Sequence, residues 1–269
     1  LYQRKAKIGK RFYMAVKLNI NNAIDLFKSK GGDTPFEYSL RKTLEYAEKD
    51  KRITSLSDLA YLLATAEVES NYSLQRWEAD YLCGEQGYAY QDKPCQKALD
   101  YYKSTQGNKQ NYYNLGTDKR GLPYFGRGLI QLTGKSNYDT YGKKVVVDLL
   151  NNPDKALQKD ISYDIAVAYM TTKRSGYGNK STFDLAKEGN FSSARKSVKG
   201  SSSGYNSVKA DYDKWMSVFA DKKVNAKVVS GSTSSISKQT QGKKIILATF
   251  ISLTLIGISI YAYSYFKKK

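Results

Sequence analysis

The feature that most constrains this chain lies near its C-terminal end. Residues 245–266, IILATFISLTLIGISIYAYSYF, carry no formal charge over 22 positions. As a helix rising 1.5 Å per residue, the run reaches roughly 33 Å, enough for a hydrocarbon core of about 30 Å. Lys243 and Lys244 flank one side, and Lys267, Lys268 and Lys269 the other. Tyr261, Tyr263, Tyr265 and Phe266 gather at the C-terminal end, where an aromatic belt would sit. The competing reading is a buried core helix, but such helices are seldom uniformly apolar for so long. The run therefore predicts one membrane-spanning helix over 245–266, with a basic tail at 267–269.

The segment before it, VSGSTSSISKQTQGKK, is rich in Ser, Thr and Gly and reads as a flexible tether. The expected organisation is a folded domain over 1–220, a linker over 221–244, and then the anchor. The N-terminal residues LYQRKAKIGKRFY are basic and lack an apolar run, so no cleavable signal sequence is expected. Apolar spacing in the domain predicts helices over 13–29, 36–49, 56–70, 159–174 and 204–219. Ser55 with Asp58 three residues on resembles an N-cap. Asn151-Asn152-Pro153-Asp154 marks a loop entering a further helix. Strand signals are few, so the fold class is mainly α.

Net charge is +19. Residues 222–269 hold nine lysines and no acid, leaving +10 on residues 1–221. A basic domain suits an anionic partner such as nucleic acid, lipid headgroups or wall polymer. It also suits a merely solvated lysine-rich surface. Nucleic acid is not expected, because no helix-turn-helix, zinc-finger or RNA-binding motif is present. The chain has no histidine, which removes most zinc and serine-triad chemistry. No metal-ligand cluster is visible, and neither a metal nor another cofactor is expected. Cys83 and Cys95 could form a local disulfide in a domain folded outside the cytosol, or remain two buried thiols.

Two segments carry candidate chemistry. In LAYLLATAEVESNYSLQRWEADYLCG, a buried stripe of Leu56, Leu59, Leu62, Leu63 and Ala66 leaves Glu67 and Glu69 on opposite flanks of the helix. Both lie near its C-terminus, where the dipole disfavours negative charge and a partly buried carboxyl should hold its proton more tightly. Glu78 follows beside Trp77. Cleaving an acetal needs one protonated and one ionised carboxyl, and a helix end and a wetter loop can supply those two environments. Most acid pairs, however, are solvated surface groups. In YFGRGLIQLTGKSNY, the glycines permit close backbone approach, and Arg127 between them could hold a carboxylate. Gln131, Thr133, Asn137 and Tyr138 are the residue types that bind N-acetyl sugars. A tight structural turn with incidental polar groups is the equal alternative.

YFGRGLIQLTGKSNY closely resembles the signature of glycoside hydrolase family 19, the plant-type chitinases and phage endolysins. LAYLLATAEVES resembles the helix that precedes it, VVVDLLNNPDKALQKDISYDIAVAYM the following loop and helix, and FDLAKEGNFSSARKSVKG the closing Ala-Arg segment. The likeness covers about residues 15–220. It implies a lysozyme-like, mostly α domain with two lobes around a groove. By position it implies that Glu69 is the general acid, Glu78 the second carboxylate and Thr133 the residue that orients water. Gln131, Asn137 and Tyr138 fall on substrate-contacting positions, and Arg127 on a structural or cleft-lining one. Glu85 is a rival for the second carboxylate. Val68 replaces the family's histidine, Glu67 is an added acid that would couple to Glu69 if the two approached, and Lys199-Gly200 replaces a usual Asn-Gly.

The expected function is a membrane-anchored glycosidase cutting the β-1,4 backbone of peptidoglycan glycan strands. A virion-associated lytic enzyme of a membrane-containing phage would use such an anchor, with the terminal lysines facing the cytoplasm or virion interior. The alternatives are a bacterial tail-anchored chitinase-like or wall-remodelling enzyme, and a non-catalytic glycan-binding protein.

Overall fold

A computed structural model describes residues 12–78, 80–83, 95–98, 100–101 and 115–232. The expected anchor at 245–266, the tail at 267–269, the distal part of the linker and Glu85 lie outside the described residues. Among the described residues no helix is long and apolar enough to cross a membrane. The chain divides into a unit over 14–229 and a second unit of which only Phe12, Tyr13 and residues 230–232 are described, all in strands.

The main unit is built from β1 (Phe12–Lys17, from Met14 onward), α1 (Ile20–Ser29), α2 (Glu37–Ala47), α3 (Leu56–Ser70), α4 (Lys135–Val145), α5 (Lys159–Thr171), α6 (Thr182–Lys187), α7 (Phe191–Lys199), α8 (Tyr205–Phe219) and β2 (Lys227–Ser232, up to Val229). Short 3₁₀ turns sit at Asp80–Cys83, Pro153–Leu157 and Ser175–Tyr177. The main-α expectation holds.

Helix α3 is the centre. The Ser55 hydroxyl accepts the Asp58 N–H at 3.0 Å, capping the helix as expected, while Asp58 Oδ2 accepts the Thr54 N–H at 2.9 Å. Every residue over 59–66 is buried. The one-sided stripe drawn from Leu56 onward therefore understates it: other helices surround α3, leaving it no solvent face between its first and last turns. Helix α8 packs against it, and Trp215, fully buried, stacks on Phe27 of α1 with ring centroids 4.1 Å apart.

Two boundaries differ from the sequence reading. Residues 13–19 are not helical. Asn19 caps α1, its side chain accepting the Asn22 N–H at 3.1 Å, and the preceding aromatic and β-branched residues form β1. Nor does the fold end near Ala220. Val224 is fully buried, its carbonyl accepts the Asn19 N–H at 2.7 Å, and the chain continues into β2, paired with β1. Burial of one valine and a strand partner outweigh the polar composition that reads as a tether.

A second, small apolar cluster contains Trp77, Ala98, Phe125 and Leu157, with Cys83 and Cys95 packed against it. These two cysteines form a disulfide, resolving the alternative in its favour.

The last turn of α3 is tied to α8 by a polar network. Trp215 Nε1 donates to the Tyr72 hydroxyl at 3.1 Å, and that hydroxyl donates to Glu67 Oε2 at 2.6 Å. Asp211 faces the same carboxyl, with Lys214 3.4 Å from Asp211. Burial pushes Glu67 up to about 7; the Tyr72 hydrogen bond opposes this and the charge of Asp211 adds to it. Burial likewise raises Asp211. Glu67 therefore couples to Asp211 and not to Glu69. Because its folded value stands above the ordinary 4.5, the stability it supplies is complete below pH 4.5 and is lost as pH rises through 7. Glu67→Gln keeps the acceptor for Tyr72 and turns an N–H toward Asp211. Calorimetry is expected to show its Tm about 2–4 °C above wild type at pH 8 and equal to it at pH 4. An unchanged or lower Tm at pH 8 contradicts this reading.

Candidate active site

Helix α3 ends in two consecutive left-handed residues, Asn71 (φ 50°) and Tyr72 (φ 67°). Asparagine tolerates that conformation readily; tyrosine does so here because its ring is fully buried against Phe27 and Trp215. The turn fixes the helix's last residues. Glu67 faces α8, as above, and Glu69 faces the opposite way, as the helical spacing predicts. Glu69 meets a cation there: its Oε1 accepts from Arg195 Nη1 of α7. Arg195 is buried, and its Nε donates to the Ser203 carbonyl at 3.1 Å. The sequence reading placed Glu69 alone at a helix end; the fold gives it a guanidinium partner instead. A buried guanidinium without a carboxylate would carry a large desolvation cost, so the pair locks α7 to the end of α3.

The second wall is the loop beginning at Tyr124. Its backbone bonds in two directions. The Glu78 N–H reaches the Gly126 carbonyl at 2.8 Å and the Gly128 N–H reaches the Arg76 carbonyl at 2.6 Å, while Arg127 and Leu132 exchange bonds of 3.2 and 2.9 Å. Space requires the glycine after Arg127, and a side chain at the one before it would displace the Gln131 amide. A Cβ on Gly126 would lie 2.8 Å from Gln131 Oε1, and one on Gly128 would lie 2.7 Å from the Ala156 carbonyl. Gln131 is itself left-handed (φ 52°), held by its side-chain amide, which donates to the carbonyls of Gly128 (3.0 Å) and Arg76 (3.2 Å). The Thr133 hydroxyl donates to the Gln131 carbonyl at 2.7 Å, leaving its lone pairs to accept from a ligand or water. Asn137 Nδ2 donates to the Thr133 carbonyl at 2.8 Å.

Between these walls lies a cleft of about 450 Å³, lined by Glu69, Gln131, Thr133, Asn137, Tyr169 and Lys199 among others. Four of the sequence-predicted residues thus share one cavity: Glu69, Gln131, Thr133 and Asn137. Three do not line it. Glu78 lies beyond Gly126, its Oε2 accepting the Gly126 N–H at 3.2 Å. Tyr138, expected to contact substrate, and Arg127, expected in a structural or cleft-lining role, are both buried struts. Arg127 Nε binds Asp154 Oδ1 at 3.0 Å, its Nη1 donates to the Tyr138 hydroxyl at 2.8 Å, and its guanidinium lies 3.5 Å from the Phe125 ring centroid. The Tyr138 hydroxyl donates in turn to the Phe125 carbonyl at 2.8 Å; burial pushes this phenol up to about 12, so it stays a donor. Burial works against ionisation of Asp154, but the Arg120 hydrogen bond and the Arg127 charge hold it below the usual carboxylate range.

Sequence reasoning did not assign Arg195, Tyr169 or Lys199 to the site. The available signal was the Ala-Arg pair and the Lys-Gly departure in the closing segment. Among the described residues no group of three or more Cys, Asp or Glu is arranged to hold a metal. Tyr138→Phe leaves the Arg127 donor and the Phe125 carbonyl short of a partner. Denaturant unfolding is expected to show a loss of about 1–2 kcal/mol, with KM for glycan within twofold of wild type. A several-fold rise in KM at unchanged stability would return Tyr138 to the substrate surface.

Comparison with known proteins places this geometry in a family. An acidic endochitinase of Petunia hybrida is 45% identical over 64 residues, 23% of this chain and 24% of the relative. Chitinase 8 of Oryza sativa subsp. japonica is 47% identical over 49 residues, 18% of this chain and 17% of the relative. The chain thus spans about a quarter or less of the length of these curated relatives. Among solved structures, chitinase C from Streptomyces griseus HUT6037 aligns with 74% of this chain and 91% of its own, at 16% identity and a TM-score of 0.47. The sequence profile of glycoside hydrolase family 19, described as chitinase class I, matches residues 77–239, more than half of the chain; Glu69 stands just ahead of that span. On that match, the chain belongs to glycoside hydrolase family 19.

Proposed function

We propose that this chain hydrolyses the β-1,4 backbone of bacterial cell-wall glycan by carboxylate acid/base catalysis. The observation that carries the reading is the shared cleft: the Glu69 carboxyl on one wall, and the Thr133 hydroxyl with the Gln131 and Asn137 amides on the other. In the proposed step, Glu69 gives its proton to the glycosidic oxygen as the bond to the anomeric carbon breaks. A water held by Thr133 attacks that carbon, and its proton passes to Glu78. Arg195 stabilises the carboxylate that Glu69 becomes when it gives up its proton. Glu78 lies outside the lining of the cleft, behind Gly126, so this proton transfer requires its side chain to leave the Gly126 N–H and turn toward the water, or a second water to relay the proton. Solvent exchange then returns the proton from Glu78 to Glu69.

The basic domain suits an anionic wall polymer. The uncharged run at 245–266 supports a single-pass anchor, with the lysozyme-like two-lobed domain held at an envelope or at the internal membrane of a lipid-containing phage. Chitin is the second reading, favoured by the likeness to an acidic endochitinase and to chitinase 8.

Dye release from purified sacculi, run beside the same assay on chitin, tests the proposal. Wild type is expected to release dye from sacculi. Glu69→Gln keeps an oxygen for Arg195 but removes its counter-charge; it is expected to lose about 10²–10⁴-fold in rate and to unfold at a lower Tm than wild type, while still sedimenting with sacculi at temperatures below that Tm. Thr133→Ala is expected to lose about 10²-fold. Undiminished lysis by Glu69→Gln refutes the acid assignment. Release from chitin alone supports the second reading, and binding of sacculi without any hydrolysis by wild type supports a non-catalytic glycan-binding protein.

A further inference from the structure

Lys199 lines the cleft beside Glu69 and Thr133. Among the described residues that line it, Glu69 is the sole acid and Lys199 the sole cation. The acid is already matched by Arg195, which is buried and bonded to it. Lys199 is exposed, and among the described residues no carboxylate pairs with it. The cleft therefore presents one uncompensated positive charge to whatever enters.

The position of that charge is set by α7. Arg195 and Lys199 are four residues apart, on one face of the helix, one turn above the other. The turn that carries Arg195 grips Glu69; the next turn puts Lys199 farther along the same groove. The helix ends there. Gly200 is left-handed (φ 79°), its N–H closes on the Lys196 carbonyl at 2.8 Å, and the Val198 carbonyl accepts the Tyr169 hydroxyl at 3.2 Å. The backbone under Lys199 is thus held on both sides, and only the side chain is free to reach. A lysine in the last turn also lies favourably in the helix dipole.

We propose that Lys199 is a specificity determinant that binds a carboxylate on the glycan next to the bond being cut. This rests on the wall-glycan reading above and deepens it. A neutral homopolymer of N-acetylglucosamine offers Lys199 no counter-charge. A glycan in which every second sugar carries a lactyl ether does offer one, on the lactyl group itself or on a peptide attached to it. With one cation beside the cut, the acid-bearing sugar is drawn to one side of Glu69, so one of the two alternating bonds is presented to it.

The test compares two forms of one substrate: wall glycan strands stripped of peptide, with free lactyl carboxylates, and the same strands with those carboxylates converted to methylamides. The full chain is used, as wild type, Lys199→Asn, Lys199→Arg and Lys199→Glu, with a chitin oligosaccharide as a third substrate. The wild-type ratio of kcat/KM, acid form over amide form, is expected to be about 5–10, carried by KM. Lys199→Asn is expected to bring the ratio near one, Lys199→Arg to restore it, and Lys199→Glu to invert it. If wild type cuts both forms equally, or Lys199→Asn keeps the wild-type ratio, the assignment of Lys199 is overturned and the wall-glycan reading stands. If wild type cuts the chitin oligosaccharide and neither wall form, the wall-glycan reading falls and this inference falls with it.

Discussion

The ion pair between Arg195 and Glu69 is the constraint around which the site is arranged. It joins residues 126 positions apart, and one partner is almost wholly inside the protein. A guanidinium in that position needs a carboxyl oxygen as acceptor, so α3 and α7 are held in one relative placement. That placement gives the cleft its first wall. It brings the end of α3 to Tyr169 and Lys199 and aims Glu69 at the loop carrying Thr133. The hydrophobic core around α3 provides the bulk of the stability, but apolar packing is non-directional. The polar pair is what specifies which face of the helix end meets the groove.

The opposite wall uses buried charge differently. Arg127 reads in the sequence as a residue that could hold a carboxylate, and it does hold one, that of Asp154. Its guanidinium, the Tyr138 hydroxyl and the Phe125 carbonyl form a closed set of bonds behind the loop. Gln131 spends both amide hydrogens on backbone carbonyls. These interactions hold a left-handed loop steady enough for the Thr133 hydroxyl to keep one direction. The polar groups that look most suited to binding sugar are partly occupied in holding the platform on which the remaining acceptors stand.

Much of the fold is legible from spacing. The helices expected over 36–49, 56–70, 159–174 and 204–219 all occur, with ends shifted by up to three residues, and Ser55 caps α3 as its position before Asp58 suggests. Spacing also separates Glu67 from Glu69 onto opposite flanks. It cannot say what each flank meets, because Asp211 and Arg195 lie far along the chain. The misread segments share one cause. β1 and β2 are short strands that exist because each has the other as a partner, and neither is amphipathic over enough residues to announce itself. Tyr138 reads as a substrate contact, and Arg127 stays open between strut and cleft wall, because a polar residue type does not reveal whether its partner is substrate or protein. Lys199 was visible as a departure from a family pattern, yet its place in the groove depends on the helix ending at Gly200.

The central claim is that a glycan lies in this cleft with its scissile oxygen at Glu69. The most direct measurement is a crystal structure of the Glu69→Gln protein with a wall-glycan oligosaccharide bound. The account predicts the sugar chain running between residue 69 and Thr133, with a glycosidic oxygen about 2.6–3.2 Å from the residue 69 side chain. Saccharide bound at another surface, or bound in the cleft with every glycosidic oxygen out of reach of residue 69, would contradict it.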